Sequence, residues 1–139
     1  MKIILTILGL IPFVTLSYIN IVAMHVGIDS YSLLLAYSCV IIAFLAGSQW
    51  GFALSHNLSN YWLIHSNLLA LLVCAAWYVN SVESWLLLLC CLWYCYVLDV
   101  VLYRRNLLDM TYLTTRFCVS IVVSCVFIAE VLLLTYGSV

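Results

Sequence analysis

The stretch AFLAGSQWGFALS, Ala43 to Ser55, combines a row of small side chains with an amide inside an apolar run. On an α-helix, residues four positions apart lie on one face. The small residues therefore form a ridge that comprises Cys39, Ala43, Gly47, Gly51 and Ser55. Small side chains let membrane helices approach closely, and G-x-x-x-G is typical of such contacts. The ridge predicts a helix-packing surface, for which we favour another span of this chain over a second copy of it.

The composition of the chain calls for lipid as its surroundings. Of its 139 residues, 68% are hydrophobic and only 6% are charged. In a water-soluble domain, about a quarter of the residues are charged. This chain has too few of them to cover a water-facing surface. We predict an integral membrane protein in contact with the lipid bilayer. The formal net charge of -1 leaves no basic patch, so nucleic acid is not an expected partner.

Five apolar segments are long enough to cross a bilayer, which takes about 20 helical residues. They are Ile3–His25, Tyr31–Leu54, Asn60–Val79, Ser84–Tyr103 and Thr111–Tyr136. The connections between them are short, so consecutive helices must be antiparallel neighbours. The sequence thus predicts an all-α polytopic membrane protein. Its residues 1–139 form a single integral membrane domain, a bundle of about five transmembrane helices.

The four basic residues predict the orientation of the bundle. Lys2 precedes the first span, Arg104 and Arg105 lie between the fourth and fifth, and Arg116 lies near the start of the fifth. With the N-terminus in the cytoplasm, all four fall on the cytoplasmic side, as membrane proteins prefer. No Arg/Ser-rich transit peptide precedes the first span. We therefore expect the bacterial inner membrane, with the mitochondrial inner membrane as the alternative.

Four spans place a polar or ionisable side chain at one depth, near the cytoplasmic ends: Gln49, His65, Asp99 and Arg116. Charges inside a bilayer are costly, and they normally face the bundle interior and pair. Asp99 and Arg116 lie at matching depth on consecutive helices, so we expect them to pair. Gln49 and His65 would complete the network with hydrogen bonds. Two alternatives stay open: Arg116 extends to the lipid headgroups, or the network only fixes the helix arrangement.

Glu130 is an isolated acid in the fifth span, about two turns from its outer end. Its candidate partners are His25 and Tyr18 in the outer half of the first span. A lone acid inside a membrane span indicates proton or ion handling as the first functional hypothesis.

Three stretches carry a family resemblance: LIPF (Leu10–Phe13), YSCVIIAFLAGSQWG (Tyr37–Gly51) and LDVVLYRRNLLDMTYLTTRFCVSIVV (Leu98–Val123). They resemble a family of small bacterial and mitochondrial membrane proteins of unknown function, whose animal members are called transmembrane protein 69. The matching positions are Pro12, Phe13, Tyr37, Gly47, Trp50, Gly51, Asp99, Tyr112 and Arg116. Gln49 stands where the family usually has His. The resemblance implies an inner-membrane protein of about five helices and implies no activity.

The sequence contains no spacing typical of a nucleophile with its base or of a metal site. Its seven cysteines lie inside apolar runs, where cysteine acts as a small hydrophobic residue. We therefore expect no catalytic residue, no metal and no cofactor. The predicted function is a non-catalytic accessory or assembly factor of a membrane complex. Its expected partners are other membrane subunits or a second copy of the chain.

Two other functions stay open at this stage. One is a small transporter or proton-conducting carrier that uses Glu130, His65 and Asp99. Such proteins typically have interrupted helices or an inverted repeat, and neither is evident here. The other is a membrane enzyme acting on lipid or quinone, in which His65 is the base and Asp99 orients it.

The predicted orientation can be tested by cysteine labelling in a variant without the native cysteines. A cysteine at Asn106, beside the arginine pair, should react with a membrane-impermeant thiol reagent only from the cytoplasmic side. A cysteine at Ser81 is the control and should react only from the opposite side. Labelling of position 106 from outside would overturn the orientation.

Overall fold

A computed structural model describes residues 10–22 and 30–136 of the chain, and its regular structure there is entirely helical. The helices are α1 (Leu10–Val22), α2 (Ser30–Ser55), α3 (Asn60–Val79), α4 (Val82–Arg104) and α5 (Met110–Tyr136). The last four are long and apolar enough to cross a membrane, whereas α1 is a shorter apolar helix of 13 residues. The predicted all-α membrane helix bundle is confirmed.

The four long helices begin and end within two residues of the predicted spans. For the predicted first span, Ile3–His25, the structure describes only the part that forms α1. Lys2, His25 and Asp29 lie outside the described residues. The membrane orientation that rests on Lys2 and the arginines therefore stays a prediction.

Asparagine follows the end of three helices and allows each sharp reversal of the chain. Asn57, Asn80 and Asn106 have backbone φ angles of 50°, 48° and 59°, in the left-handed region. Asparagine tolerates this conformation better than other non-glycine residues because its short polar side chain bonds locally. After Asn80, the Ser81 and Ser84 side chains form a capping box, so α4 starts two residues earlier than predicted. These tight turns make the helices that they join antiparallel.

The helices close into a ring. Each helix packs on the next in the chain, α5 returns to contact α1, and α2 also contacts α4 across the bundle. α4 is more deeply buried in the bundle than α2. The centre of the bundle is therefore shared by α2 and α4.

Aromatic side chains join three helices in the half of the bundle away from the arginine pair. The Phe127 ring of α5 lies between Phe13 of α1 and Trp85 of α4, with ring centroids 6.2 Å and 5.3 Å apart. All three side chains are at most 2% exposed. Tilted aromatic pairs at these distances are favourable beyond the apolar area that they bury. This cluster fixes α1 against the rest of the bundle.

The end of the bundle at which α4 ends and α5 begins is here called the basic end, because Arg104 and Arg105 lie there. A second, smaller core comprises Ala53, Trp62 and Leu102 at this end. The Arg105 guanidinium lies 5.9 Å from the centre of the Trp62 ring. This cation–π contact links the turn after α4 to the start of α3.

The ridge of small residues does not coincide with the buried face of α2. From Cys39 onward, the buried positions are Cys39, Ile42, Ala46, Gln49 and Ala53, alternately three and four residues apart. A row strictly four apart drifts around a helix with 3.6 residues per turn. The ridge therefore starts buried at Cys39, is half-buried at Ala43, and is exposed at Gly47, Gly51 and Ser55.

The expected packing of another span along this ridge is consequently wrong at its two glycines. A Cβ atom built on Gly47 or Gly51 would meet no described atom within 4 Å. The close approach occurs one residue earlier, at Ala46, whose carbonyl oxygen accepts a 2.5 Å hydrogen bond from the Ser66 hydroxyl of α3.

Substitutions at these adjacent positions should separate the two faces. Ala46→Leu overfills a site that is 1% exposed, so it should lower the free energy of unfolding by about 1–3 kcal/mol. Gly47→Leu should change it by less than about 0.5 kcal/mol. Reversible unfolding in mixed detergent micelles measures both. Equal losses would contradict the assignment of faces.

Candidate functional site

Asp99 joins three helices near the basic end of the bundle. Its Oδ2 accepts a hydrogen bond from Arg116 Nε of α5 at 3.2 Å, and this contact is an ion pair. Its Oδ1 accepts from Gln49 Nε2 of α2 at 3.3 Å. The same amide nitrogen donates to the Cys95 carbonyl oxygen at 3.0 Å. The structure thus brings together three of the four residues of the predicted polar layer.

The three side chains lie at one level and are buried. Each is five or six residues from the end of its helix, or about 8–9 Å along the axis. Their exposed fractions are 5% for Gln49, 4% for Asp99 and 6% for Arg116. Removing a charge from water is costly unless a partner and further hydrogen bonds compensate it. The Asp99–Arg116 pair therefore constrains how α4 and α5 can pack.

Two polar atoms of this cluster have no hydrogen-bond partner among the residues that the structure describes. They are Arg116 Nη2 and Gln49 Oε1, and both atoms are buried. The cluster thus retains one charged donor and one neutral acceptor. Buried groups of this kind call for an explanation.

His65 does not join the cluster. It is half-buried, and its Nδ1 lies 2.8 Å from the Tyr94 hydroxyl of α4. One helical residue is a rotation of about 100°, and it is Ser66 that faces α2. The arrangement of an enzyme with a His65 base and an Asp99 orienter is therefore not formed.

Glu130 is held by α1 near the opposite end of the bundle. Its Oε2 accepts a 2.6 Å hydrogen bond from Asn20 Nδ2. The Ser17 hydroxyl lies beside the same carboxyl group, and Oε1 is buried without a hydrogen bond. Of the partners expected from the sequence, Tyr18 is 64% exposed, and His25 is outside the described range. Asn20 could have been found because it shares a helix face with Phe13, seven residues earlier.

A cavity of about 290 Å³ lies between α1, α2 and α5. Its walls are mostly apolar, and Arg116, Tyr112, Thr115 and Ser48 are its polar lining residues. Phe44 also lines the cavity and is 70% exposed, so the cavity reaches the surface of the bundle. His65 and Glu130 are not among the described residues that line it.

Asn67 is a polar residue that the sequence interpretation missed. It is exposed on α3, and no hydrogen bond to its side chain occurs within the described residues. Ser66 contacts Ala46 across the α2–α3 seam. The next residue in each of two antiparallel helices turns to the same side, so Asn67 and Gly47 share one face. Its signal in the sequence was an amide eight residues into an apolar span.

We call this surface the α2–α3 outer face and define it by Gly47, Trp50, Gly51 and Asn67. Trp50 is 43% exposed, and the two glycines face open space. The outer face lies on the opposite side of α2 from Gln49, which contacts α4. It is therefore the side turned away from the bundle.

The other positions of the sequence resemblance lie in different places. Phe13 packs edge-on against Tyr37 with ring centroids 4.9 Å apart, and Pro12 is half-buried beside it. Tyr112 lines the cavity with Phe13 and Arg116. Trp50, in contrast, lies on the outer face.

The fold and these contacts define a polytopic α-helical membrane protein in which Asp99, Arg116 and Glu130 are buried between the helices. Within the described ranges, no three His, Cys, Asp or Glu side chains lie close enough to hold a metal ion. A family model matches residues 1–132, and the chain belongs to this family, described as protein of unknown function (DUF3429). No curated protein and no solved structure matches the chain.

The Asp99–Arg116 pair should show strong energetic coupling. Asp99→Asn or Arg116→Gln alone leaves an uncompensated group in the interior and should cost about 3–5 kcal/mol of unfolding free energy. The double variant should recover part of this loss. Unfolding of the four proteins in mixed micelles measures the coupling. Additive losses would show that the two side chains do not interact.

Proposed function

We propose that this chain is a non-catalytic accessory or assembly factor that packs against another protein of the same membrane. The observation that carries the proposal is the α2–α3 outer face, where Asn67 and two open glycines are exposed together. The partner is a transmembrane helix with small residues at the contact and a hydrogen-bonding group opposite Asn67.

Lipid tails cannot supply a hydrogen-bonding partner for the Asn67 amide. An amide in the hydrocarbon region has no water to bond, and a partner helix can provide the missing donor or acceptor. Gly47 and Gly51 allow that helix to approach closely, which strengthens dispersion contacts. Lipid tails fill an apolar surface equally well, but they leave the Asn67 amide unpaired.

The interior polar groups support a structural role. Asp99 forms an ion pair with Arg116 and accepts a hydrogen bond from Gln49. Glu130 accepts a hydrogen bond from Asn20. These contacts hold helices together and leave neither carboxylate exposed. Catalysis would need such a group at a substrate-accessible position with its base or nucleophile in reach.

A proton-conducting carrier is the second candidate, and one observation favours it. Ser120 Oγ and Glu130 Oε1 are buried without a partner, and both lie on the face of α5 that contains Arg116. However, Arg116 and Glu130 are about 21 Å apart along the helix axis. The described helices are also continuous, whereas transporters typically interrupt theirs at the binding site.

The proposal also covers the membrane in which the chain lies and the orientation of the chain in it. The resemblance to animal transmembrane protein 69 suggests a role shared between bacteria and mitochondria. The bacterial inner membrane with a cytoplasmic N-terminus is our choice, and the mitochondrial inner membrane is the alternative. The arginine pair at the end of α4 supports a cytoplasmic location of the basic end.

The test is gentle detergent extraction of the tagged chain, followed by native mass measurement and identification of the bound proteins. The wild type should form a larger assembly with a defined membrane partner. Gly47→Leu and Asn67→Leu should each reduce the amount of bound partner by about tenfold, the effect of one or two interhelical contacts. Cys125→Leu is the control, since Cys125 is an exposed small residue of α5.

Three results would contradict the proposal. The first is a wild type that migrates as a lone monomer. The second is a second copy of the chain as the sole occupant of the outer face. The third is a partner that both outer-face variants retain as well as Cys125→Leu does, which would place the contact elsewhere.

A further inference from the structure

We propose that the cavity between α1, α2 and α5 binds a neutral apolar molecule through a carbonyl oxygen that accepts a hydrogen bond from Arg116. This site lies apart from the α2–α3 outer face, and the proposal does not depend on the partner proposed above.

The Arg116 guanidinium is only partly hydrogen-bonded within the protein. Its Nε is bonded to Asp99, but its Nη2 is buried and has no acceptor among the residues of the described structure. The side chain as a whole is only 6% exposed, so bulk water cannot replace the missing acceptor. Arg116 is also a lining residue of the cavity. A ligand oxygen in the cavity can satisfy the donor.

The charge balance around Arg116 determines which kind of acceptor the cavity can bind. Asp99 already balances Arg116 within the pair. A carboxylate or phosphate ligand would add an unbalanced negative charge to this apolar interior, which is costly. A carbonyl oxygen accepts the hydrogen bond without that penalty. Tyr112 also lines the cavity, and its hydroxyl group offers a further donor.

The size and lining of the cavity limit the ligand to a small apolar group. A volume of about 290 Å³ lies at the lower end of ligand pockets. The walls near Arg116 are apolar and include Phe13, Leu45 and Val119. Such a space takes a ring or a short chain segment, while a longer tail passes Phe44 into the lipid. Two membrane molecules share this chemistry: a quinone and the acyl ester of a lipid.

The experiment uses the full chain in nanodiscs of diether lipids, which lack ester carbonyls. A short-tailed benzoquinone, its matched alkylbenzene and a diester phospholipid are added in separate arms. Equilibrium binding and thermal unfolding are the readouts. Val119→Phe fills the cavity, and Val122→Phe is the control because Val122 is 39% exposed and is not a lining residue.

A carbonyl probe should bind at least about tenfold more tightly than the alkylbenzene, as expected for a hydrogen bond from a charged donor. Val119→Phe should abolish binding, and Val122→Phe should retain it. Preference for the benzoquinone would identify a quinone as the ligand class, and preference for the diester would identify a lipid ester.

A second variant keeps the test independent of cavity filling. Arg116→Met together with Asp99→Leu removes the donor and keeps the site neutral, because neither new side chain can donate a hydrogen bond. It should bring carbonyl binding down to the level of the alkylbenzene, whose own binding should not change. The proposal is overturned if neither carbonyl probe binds better than the alkylbenzene, or if Val119→Phe binds as Val122→Phe does. It is equally overturned if the double variant keeps the carbonyl preference.

Discussion

The hydrogen-bonded ion pair between Asp99 and Arg116 is the constraint on which the arrangement of this bundle depends. In lipid, the short carboxylate of Asp99 cannot reach water at this depth, so it needs a partner on a neighbouring helix, and α4 and α5 present Asp99 and Arg116 to each other. Gln49 adds α2 to the same carboxylate at 3.3 Å. Three helices are thereby held at one level, and the apolar contacts follow from that register.

The same physics explains what the bundle leaves on its surface. Helices in lipid do not associate merely to bury apolar area, so polar and small residues mark the contacts. Ser66, Gln49 and Asn20 mark contacts within the bundle. Asn67 and Gly47 have the same character but face outward, which is why we assign them to a contact with another protein.

Much of this architecture could be predicted from the sequence, because depth in a membrane follows from position along an apolar span. The four long helices and the level shared by Asp99, Arg116 and Gln49 were predicted in this way. The face of each helix was harder, because it depends on which helices are neighbours. The sequence therefore points to His65 where Ser66 makes the contact, and to a covered Gly47 where the structure has an open one. Asn20 and Asn67 do not stand out in the sequence, because their roles depend on which helix lies opposite them.

The most direct test of the central claim is the distance between the Arg116 guanidinium and the Asp99 carboxyl group in a lipid bilayer. Solid-state NMR on selectively ¹⁵N- and ¹³C-labelled protein can measure it in liposomes. The structure predicts direct contact, with Nε 3.2 Å from Oδ2. Complete absence of dipolar coupling between the two groups would contradict the account, because α4 and α5 would then be held together by something else.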